Sequence, residues 1–453
     1  MVNKLSLKQR FLVAVTLFGM FFGAGNLIFP VHLGQLAGKN VVSAMIGFII
    51  TAVTIPILGV AAIGNTHSDS LHSLSNKVSK GYGYFFTCLL YLTIGPFFAI
   101  PRCATTSFTS IEPMISEGVS KSLMLFIFSF IFFAFVLFFS LRPSKITVWI
   151  GKIINPLFLI FLSILVVTAL LNPSISVNEV TPVDAYRNAA LFSGFIEGYG
   201  TMDAIAGLAF GIVVIDIIRG MGLKENNNIA REVLKSGVIT GTLMAVIYIA
   251  TIVMGAQSRG LFELSANGGI ALTQISNHYL GKVGSLVLAL TITFATLKTS
   301  IGLVTSCSQA FVRMFPKGLS YNLWAIIFTA FSFAVSNIGL SNIINYSVPV
   351  LMFLYPPAIA LILLALTGDL FDHDKIVYKS VIGFTLIAAI FDLIKTSPEN
   401  LHGVLYAEKV VGFARRILPF FDLNLGWLVP SLIGLASGLL IRFIMKGKRI
   451  NIT

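Results

Sequence analysis

The sequence predicts an all-α polytopic membrane protein with about 12 transmembrane helices. The chain has 453 residues, of which 56% are hydrophobic and 11% are charged, and its mean hydropathy is +0.91. Soluble proteins are about a quarter charged. The apolar residues form runs long enough to cross the hydrocarbon core as helices. The alternating pattern of a membrane β-barrel does not occur in the sequence.

These apolar runs define the predicted spans. No extended polar segment separates them, so we expect a single transmembrane domain over 1–453, with a short surface helix in the longest gap, 395–424. The spans are predicted near 11–31, 40–63, 82–106, 122–141, 147–171, 189–218, 233–256, 282–311, 323–337, 342–367, 376–394 and 425–445.

The formal charge of +13 predicts an orientation in the membrane rather than nucleic-acid binding. With the N-terminus in the cytoplasm, roughly 20 Lys and Arg fall in cytoplasmic segments and roughly 10 in outer segments, which is the positive-inside bias. Lys4, Lys8 and Arg10 precede the first span, and Arg442 lies at the end of the last. We therefore expect a multi-pass protein in a lipid bilayer with both termini in the cytoplasm. No nucleic acid and no obligate protein partner is expected.

Two spans are interrupted by helix-breaking residues. The first contains FGMFFGAGNLIFP at 18–30 and the sixth contains EGYGTMD at 197–203, and glycine and proline disfavour an unbroken helix. The second break lies five spans later, in a helix of opposite orientation, which indicates a five-plus-five inverted repeat over 11–171 and 189–367. Two additional helices follow at 376–445. Because non-helical backbone in a membrane must face protein or a water-filled cavity, the breaks predict a binding site.

The first break offers backbone groups of both polarities. Gly23, Ala24 and Gly25 free N–H groups at the positive dipole end of the outer half-helix, which favours a carboxylate. Carbonyls released by the inner half-helix suit an ammonium group or a cation. The alternative is close helix packing, because Gly19 and Gly23 fit the small-xxx-small motif. Asn26 adds a side-chain carbonyl, with capping of the outer half-helix as its alternative role.

The sixth span carries two acidic residues within an apolar run, where carboxylates are unfavourable unless they are paired or solvated. Glu197 is a candidate for handling a proton or a cation, or for a hydrogen bond that holds the unwound segment. Asp203 is a further candidate for ion coupling, and capping of the second half-helix is its alternative.

The eighth span reads TFATLKTSIGLVTSCS from residue 293 and holds Lys298 near its middle. A lysine at this depth should be paired, deprotonated or facing water. Thr299 and Ser300 supply hydroxyl oxygens that sodium accepts, and back-bonding to the preceding turn is the alternative.

The third span contains YLTIGPFFAIPRCATTSF from Tyr91. Pro96 removes a helical hydrogen bond in mid-span, and a kink there would open a cavity wall beside Tyr91. A proline that is merely tolerated is the alternative. We expect Arg102 to extend its side chain to the outer membrane interface.

The sequence contains no recognisable signature of catalysis, phosphate binding or clustered metal ligands. The three cysteines lie in or beside predicted helices at no metal-ligand spacing and are expected to pack as small hydrophobic residues. We therefore expect a protein that is not an enzyme and has no cofactor.

At GMFFGAGNLIFP, GPFFAIPRCATTSF and EGYGTMDAIAGLAFGIVV together, the chain resembles the bacterial branched-chain amino acid:cation symporter family over nearly its whole length. The resemblance implies a leucine-transporter-type 5+5 fold with helices 1 and 6 broken. It also implies the bacterial plasma membrane and import of leucine, isoleucine and valine with sodium, or in some members with protons. Alternatives are a proton-coupled transporter using Glu197 or Lys298, a polytopic membrane enzyme and a channel.

The same resemblance implies how a substrate and its ions would be held. The amides of Ala24 and Gly25 would receive the substrate carboxylate, and the carbonyl of Phe21 would receive its ammonium group. The substrate-binding set is Phe21, Gly23, Ala24, Gly25, Asn26, Tyr91, Phe195, Glu197, Gly198, Tyr199, Gly200 and Thr201.

Two sodium sites follow from the resemblance. Asn26 would hold a sodium ion beside the substrate. The second site would use the residues Gly19, Phe22, Thr296, Thr299 and Ser300. A charged Lys298 beside this site would repel sodium by several kcal/mol at an intermediate dielectric. Three outcomes stay open for Lys298: it points away, it is neutral, or it replaces sodium as a titratable cation.

Overall fold

The computed structural model describes residues 4–66, 68, 70–115, 118–142, 146–223 and 225–450, and over these residues the protein is helical with no strand. Its α-helices are α1 (Leu7–Phe21), α2 (Ala24–Ala37), α3 (Val41–Ile49), α4 (Ile55–Asn65), α5 (Leu71–Ser75), α6 (Lys80–Leu92), α7 (Ala99–Ile111), α8 (Lys121–Ser140), α9 (Ile146–Leu171), α10 (Ala190–Glu197), α11 (Asp203–Gly220), α12 (Asn226–Gln257), α13 (Gly268–Met314), α14 (Tyr321–Ser336), α15 (Leu340–Leu366), α16 (Lys375–Thr396), α17 (Glu399–His402), α18 (Ala407–Ile417) and α19 (Leu428–Ile450).

A helix coincides with every predicted span, and the chain is a multi-pass membrane protein. By length and composition, eight helical stretches in the described part of the chain could cross a membrane. Two shorter apolar helices, Leu159–Leu171 and Tyr321–Ser336, also occur. The count of about 12 crossings therefore stays a prediction. The gap at 395–424 holds the short helices α17 and α18.

The first span stops and restarts where its glycines lie. Helix α1 ends at Phe21, and Phe22 and Gly23 both have extended backbone before α2 begins at Ala24. The carbonyls at the end of α1 and the N–H groups at the start of α2 therefore lack the helical partners that an unbroken helix would provide.

The sixth span is interrupted in a different way. Helix α10 ends at Glu197, a 3-10 turn covers Gly198–Thr201, and Met202 has φ 65° before α11 begins at Asp203. A left-handed conformation is unusual for a residue with a side chain and is retained only where the surroundings fix it. The Met202 side chain is buried, so packing holds this strained turn in place.

The third span is bent at the predicted proline. A π-helical segment covers Thr93–Phe97, and Gly95 inside it has non-helical angles. The space beside Gly95 is filled by Cys307, whose thiol donates to the carbonyl of Tyr91 at 3.4 Å. The bend sets the direction of α7, which carries the residues that follow Pro96.

Helices from the two halves of the chain pack against one another. The first span (α1 and α2) lies along α12, and the sixth span (α10 and α11) lies along α3 and α4. Helix α7 packs on α13, and α8 packs on α14. The last two long helices, α16 and α19, pack together, and α16 also contacts α15.

Glycines allow the closest of these contacts. A Cβ atom at Gly34 of α2 would overlap the carbonyl of Ile252, and one at Gly255 of α12 would overlap the carbonyl of Val31. Small residues of this kind let membrane helices approach through their backbones.

Gly255→Leu should therefore lower the thermal stability of the purified protein. Its side chain would force α2 and α12 apart, and overpacking typically costs about 1–3 kcal/mol. Gly302→Leu is the matched control, because a Cβ at Gly302 meets no atom within 4 Å among the described residues. Unfolding temperatures measured in detergent should fall for the first variant only, and equal values for both would contradict this packing.

Candidate functional site

A small cavity lies where the two helix breaks meet. Its volume of about 40 Å³ is close to the space of a single water molecule, about 30 Å³. The lining includes eight residues that the sequence predicted for the site: Phe21, Gly23, Ala24, Gly25, Asn26, Thr201, Asp203 and Thr299. The rest of the lining is mostly apolar and comes from α1, α7, α11 and α13, together with Ile94 of the bent third span and Met202 of the sixth-span turn.

Asn26 connects the first break to the sixth span. Its Oδ1 accepts the N–H of Gly23 at 2.8 Å, and its Nδ2 donates to Oδ2 of Asp203 at 2.5 Å. The hydroxyl of Tyr248 also contacts Asn26 Nδ2 and donates to Asp203 at 3.4 Å. Asn26 is 1% exposed. In this conformation its oxygen has the capping role, and its role as a sodium ligand stays a prediction.

Tyr248 was not found from the sequence. The seventh span also contains four other hydroxyl-bearing residues, Ser236, Thr240, Thr242 and Thr251, and nothing in that run marks the face of α12 that meets α2. The acidic residue it contacts, Asp203, was found because a carboxylate inside an apolar span needs partners.

Arg102 contradicts the expectation that it reaches the membrane interface. Its side chain is 3% exposed, its Nη1 donates to the carbonyl of Gly200 at 2.6 Å, and its guanidinium lies 5.2 Å from the centre of the Phe29 ring. Extension to the interface requires a helix face next to lipid. Here α7 packs on α13, and the break in the sixth span provides an unpaired carbonyl instead. The break in the sixth span releases backbone carbonyls that need donors, and this is the feature of the sequence that could have indicated a buried arginine.

The eighth span places its hydroxyls beside the first break. The methyl group of Thr299 would lie 3.5 Å from a Cβ at Gly23, while its hydroxyl donates back to the carbonyl of Ala295 at 3.1 Å. The hydroxyl of Thr296 donates to the carbonyl of Ile292 at 2.8 Å. The hydroxyl of Ser300 is buried, makes no hydrogen bond to a nitrogen or oxygen of any described residue, and has the Cys103 thiol beside it. Ser300 is thus the member of this group with an uncommitted oxygen.

The inner half-helix contributes the remaining residues predicted for this second cation site. Gly19 lies in the last turn of α1, and Phe22 is the residue after that helix. Both therefore belong to the end of the helix that precedes Gly23, the residue that meets Thr299 of α13.

Lys298 does not line the cavity. It is half-buried, and neighbouring positions on the same helix face, Phe294 and Gly302, are exposed. Among the described residues it makes no hydrogen bond or ion pair that would hold it near the break. This placement agrees with the alternative in which Lys298 points away from the candidate sodium site.

Glu197 also lies outside the cavity. Its Oε2 accepts a hydrogen bond from Tyr186 at 3.4 Å, and its Oε1 is 4.0 Å from Nδ1 of His32. These contacts agree with the alternative in which Glu197 holds the unwound segment.

The other predicted pocket residues are not on the cavity surface. Tyr199 stacks on Tyr355 with ring centres 3.9 Å apart, and Phe195 meets Tyr199 edge-on. A Cβ at Gly198 would lie 2.8 Å from Thr51, and Gly200 packs against the ring of Phe29. These residues form the packed wall around the break.

Tyr91 faces a second and larger cavity. Its hydroxyl donates to the carbonyl of Ala209 at 3.1 Å, and the cavity of about 260 Å³ extends to Asp216 and Arg313 near the ends of α11 and α13. Phe210 lines both cavities. The two cavities are therefore neighbours that share Phe210 as a lining residue.

A family model described as "Branched-chain amino acid transport protein" matches residues 6–445. The chain belongs to this family. A branched-chain amino acid permease BrnQ from Lactobacillus delbrueckii subsp. lactis is 50% identical over 431 residues, covering 95% of this chain and 96% of the relative. BrnQ of Escherichia coli (strain K12) is 37% identical, and 94% of each chain is covered. The family resemblance is thus confirmed, and these relatives are named as permeases rather than enzymes.

Two solved structures of other proteins are similar in fold to this chain. The inward-facing structure of Mhp1 matches with a TM-score of 0.61 at 12% identity, covering 97% of this chain and 91% of Mhp1. MhsT in complex with L-phenylalanine matches with a TM-score of 0.50 at 15% identity, covering 97% and 98%. Both are leucine-transporter-type structures. The all-helical, leucine-transporter-type fold is therefore confirmed, while the 12 spans and the inverted repeat stay predictions.

Asp203→Ala should destabilise the protein, because Asn26 and Tyr248 would lose a buried acceptor, at a cost of about 1–3 kcal/mol. Asp216→Ala is the matched control on the same helix, since its side chain is largely exposed and its nearest cation is 3.8 Å away. Unfolding temperatures in detergent should fall clearly for Asp203→Ala only. Similar values for the two variants would contradict a structural role for the network.

Proposed function

We propose that this protein is a secondary active symporter that imports branched-chain amino acids together with sodium by alternating access. The observation that carries the proposal is the meeting of two interrupted helices around one cavity, whose lining includes the residues at the end of α1 and the start of α2. Membership in a transport family supports amino acid transport, and the names of the relatives support the branched-chain class.

Helix packing supports the five-plus-five repeat that alternating access requires. A five-plus-five repeat pairs each span of the first half with the span five later in the chain. A contact between the first and seventh spans should then be matched by a contact between the sixth and second spans. Both contacts occur, as α1 and α2 with α12 and as α10 and α11 with α3 and α4. Helices α7 and α13 belong to the third and eighth spans, and α8 and α14 to the fourth and ninth. Each of these two contacts joins a pair of equivalent spans, so the repeat maps it onto itself. The two repeats would then move against each other around the central cavity.

The first break would bind the charged ends of the substrate. The N–H groups of Ala24 and Gly25 lie in the first turn of α2, where the helix dipole favours a carboxylate, and the Ala24 N–H also meets the Cys103 thiol. The carbonyl of Phe21 closes α1 on the opposite side of the break and would accept the ammonium group.

The apolar lining would bind the branched side chain. Ile94, Ala206, Phe210 and Leu303 form part of this wall. Because one methylene group in an apolar pocket is worth only about 1–3 kcal/mol, discrimination among leucine, isoleucine and valine should be weak. The cavity of about 40 Å³ is smaller than a branched side chain, so binding requires the helices around it to separate.

Sodium would bind between the end of α1 and the eighth span. The uncommitted hydroxyl of Ser300, the neighbouring Thr299 and carbonyls of the Gly19–Phe22 turn are oxygen donors, which hard cations prefer. Thr299 of the proposed ion site lines the cavity, whereas Lys298 and Glu197 do not, which favours sodium over proton coupling through either of them.

The protein would reside in the plasma membrane of a bacterium with both termini in the cytoplasm. The relatives come from bacteria, and the Lys and Arg residues before the first span follow the positive-inside bias.

Proteoliposomes that contain the protein should accumulate labelled isoleucine when an inward sodium gradient is imposed. Excess leucine or valine should compete, because the apolar wall distinguishes them weakly. Replacing external sodium with choline should abolish accumulation. Uptake that persists without sodium and collapses with a protonophore would instead support proton coupling.

Ser300→Ala should raise the sodium concentration for half-maximal uptake by about tenfold, because one oxygen donor to a cation is lost. Ser308→Ala is the matched control, since its hydroxyl is also buried on α13 without a partner in the described chain, two turns away. Lys298→Met should also leave the sodium dependence unchanged. An unchanged sodium dependence in Ser300→Ala would contradict the proposed ion site.

A further inference from the structure

The guanidinium of Arg102 lies between the two helix breaks. Through Nη1 it binds the carbonyl of Gly200 at 2.6 Å, in the unwound part of the sixth span. Its Nη2 faces the first break, because a Cβ at Gly25 would lie only 2.8 Å from it. The third span therefore delivers a positive charge to the place where the outer half-helix begins.

One edge of this guanidinium is available to a ligand. The Nε atom is buried and makes no hydrogen bond with any described residue, and Nη2 on the same edge faces Gly25. Two parallel N–H groups on one edge match the two oxygens of a carboxylate, which is the strongest arrangement available to arginine.

Among the residues that the structure describes, no acidic side chain neutralises Arg102 by direct contact. Asp203 attracts it electrostatically, but no acidic oxygen of a described residue lies within 4.0 Å, and Asp203 is already bonded to Asn26 and Tyr248. A buried charge without a bonded counter-ion is unfavourable. A ligand that carries a carboxylate would supply the missing partner.

We propose that Arg102 binds the α-carboxylate of the substrate and takes the place of the sodium ion beside the substrate. This inference rests on the proposed function. A second cation beside Gly25 would be repelled by the guanidinium, and one of the two lone pairs of the Asn26 oxygen that would bind such an ion already accepts the N–H of Gly23. One coupling sodium ion then remains, at Ser300 and Thr299.

The carboxylate contact predicts how the protein discriminates between leucine and leucinol, which lacks the carboxylate. Competition against labelled isoleucine in detergent should show that the unaltered protein prefers leucine strongly. Arg102→Met should weaken leucine binding by about tenfold to a hundredfold, because a charged hydrogen-bond pair is lost, and should leave leucinol binding nearly unchanged. The preference for leucine should therefore largely disappear.

Arg102→Lys keeps the charge but not the planar fork, so its preference for leucine should fall to an intermediate value. It also provides the same comparison if Arg102→Met fails to fold. Arg415→Met is the control, since Arg415 pairs with Asp422 on an exposed surface. If both Arg102 variants keep the full preference for leucine, the inference is wrong. If the unaltered protein binds no branched-chain amino acid, the proposed function itself is wrong.

The replacement of a sodium ion has a separate readout. Simultaneous measurement of labelled sodium and labelled isoleucine entering proteoliposomes should give a flux ratio near one. A ratio near two would overturn the claim that the guanidinium replaces the ion beside the substrate.

Discussion

Backbone groups that leave a helix inside a membrane need hydrogen-bond partners, and this requirement determines the centre of the protein. Two spans are broken at mid-depth, so carbonyls and N–H groups are released where no bulk water can satisfy them. The side chain of Asn26 takes the N–H of Gly23, and Arg102 takes the carbonyl of Gly200. The backbone groups that these side chains leave unpaired would be available to a substrate and an ion.

The same polar contacts join elements that would move relative to one another during transport. Asn26 belongs to the first span, Asp203 to the sixth and Arg102 to the third. A substrate that binds the first break and Arg102 together would change the forces between these three spans. Substrate binding and helix movement would then be linked through these hydrogen bonds.

The sequence was sufficient for the fold class, the two breaks and the residues that lie within them, because glycine, proline and intramembrane carboxylates have few tolerated uses in an apolar span. It was insufficient for Arg102 and Tyr248. Which way these side chains point depends on the rotation of α7 and α12. For α7 that rotation follows the bend at Gly95 and Pro96, and sequence spacing does not specify it. Lys298 and Glu197 are ionisable residues inside apolar spans, as Asp203 is, so the sequence does not distinguish them. The packing of the helices places Asp203 on the cavity and leaves the other two off it.

A structure of the protein with isoleucine and sodium bound tests the central claim most directly. We expect the substrate carboxylate at about 2.7–3.2 Å from the amides of Ala24 and Gly25 and from the free edge of Arg102. A substrate found instead in the larger cavity near Asp216 and Arg313, with Arg102 still bound only to Gly200, would contradict it.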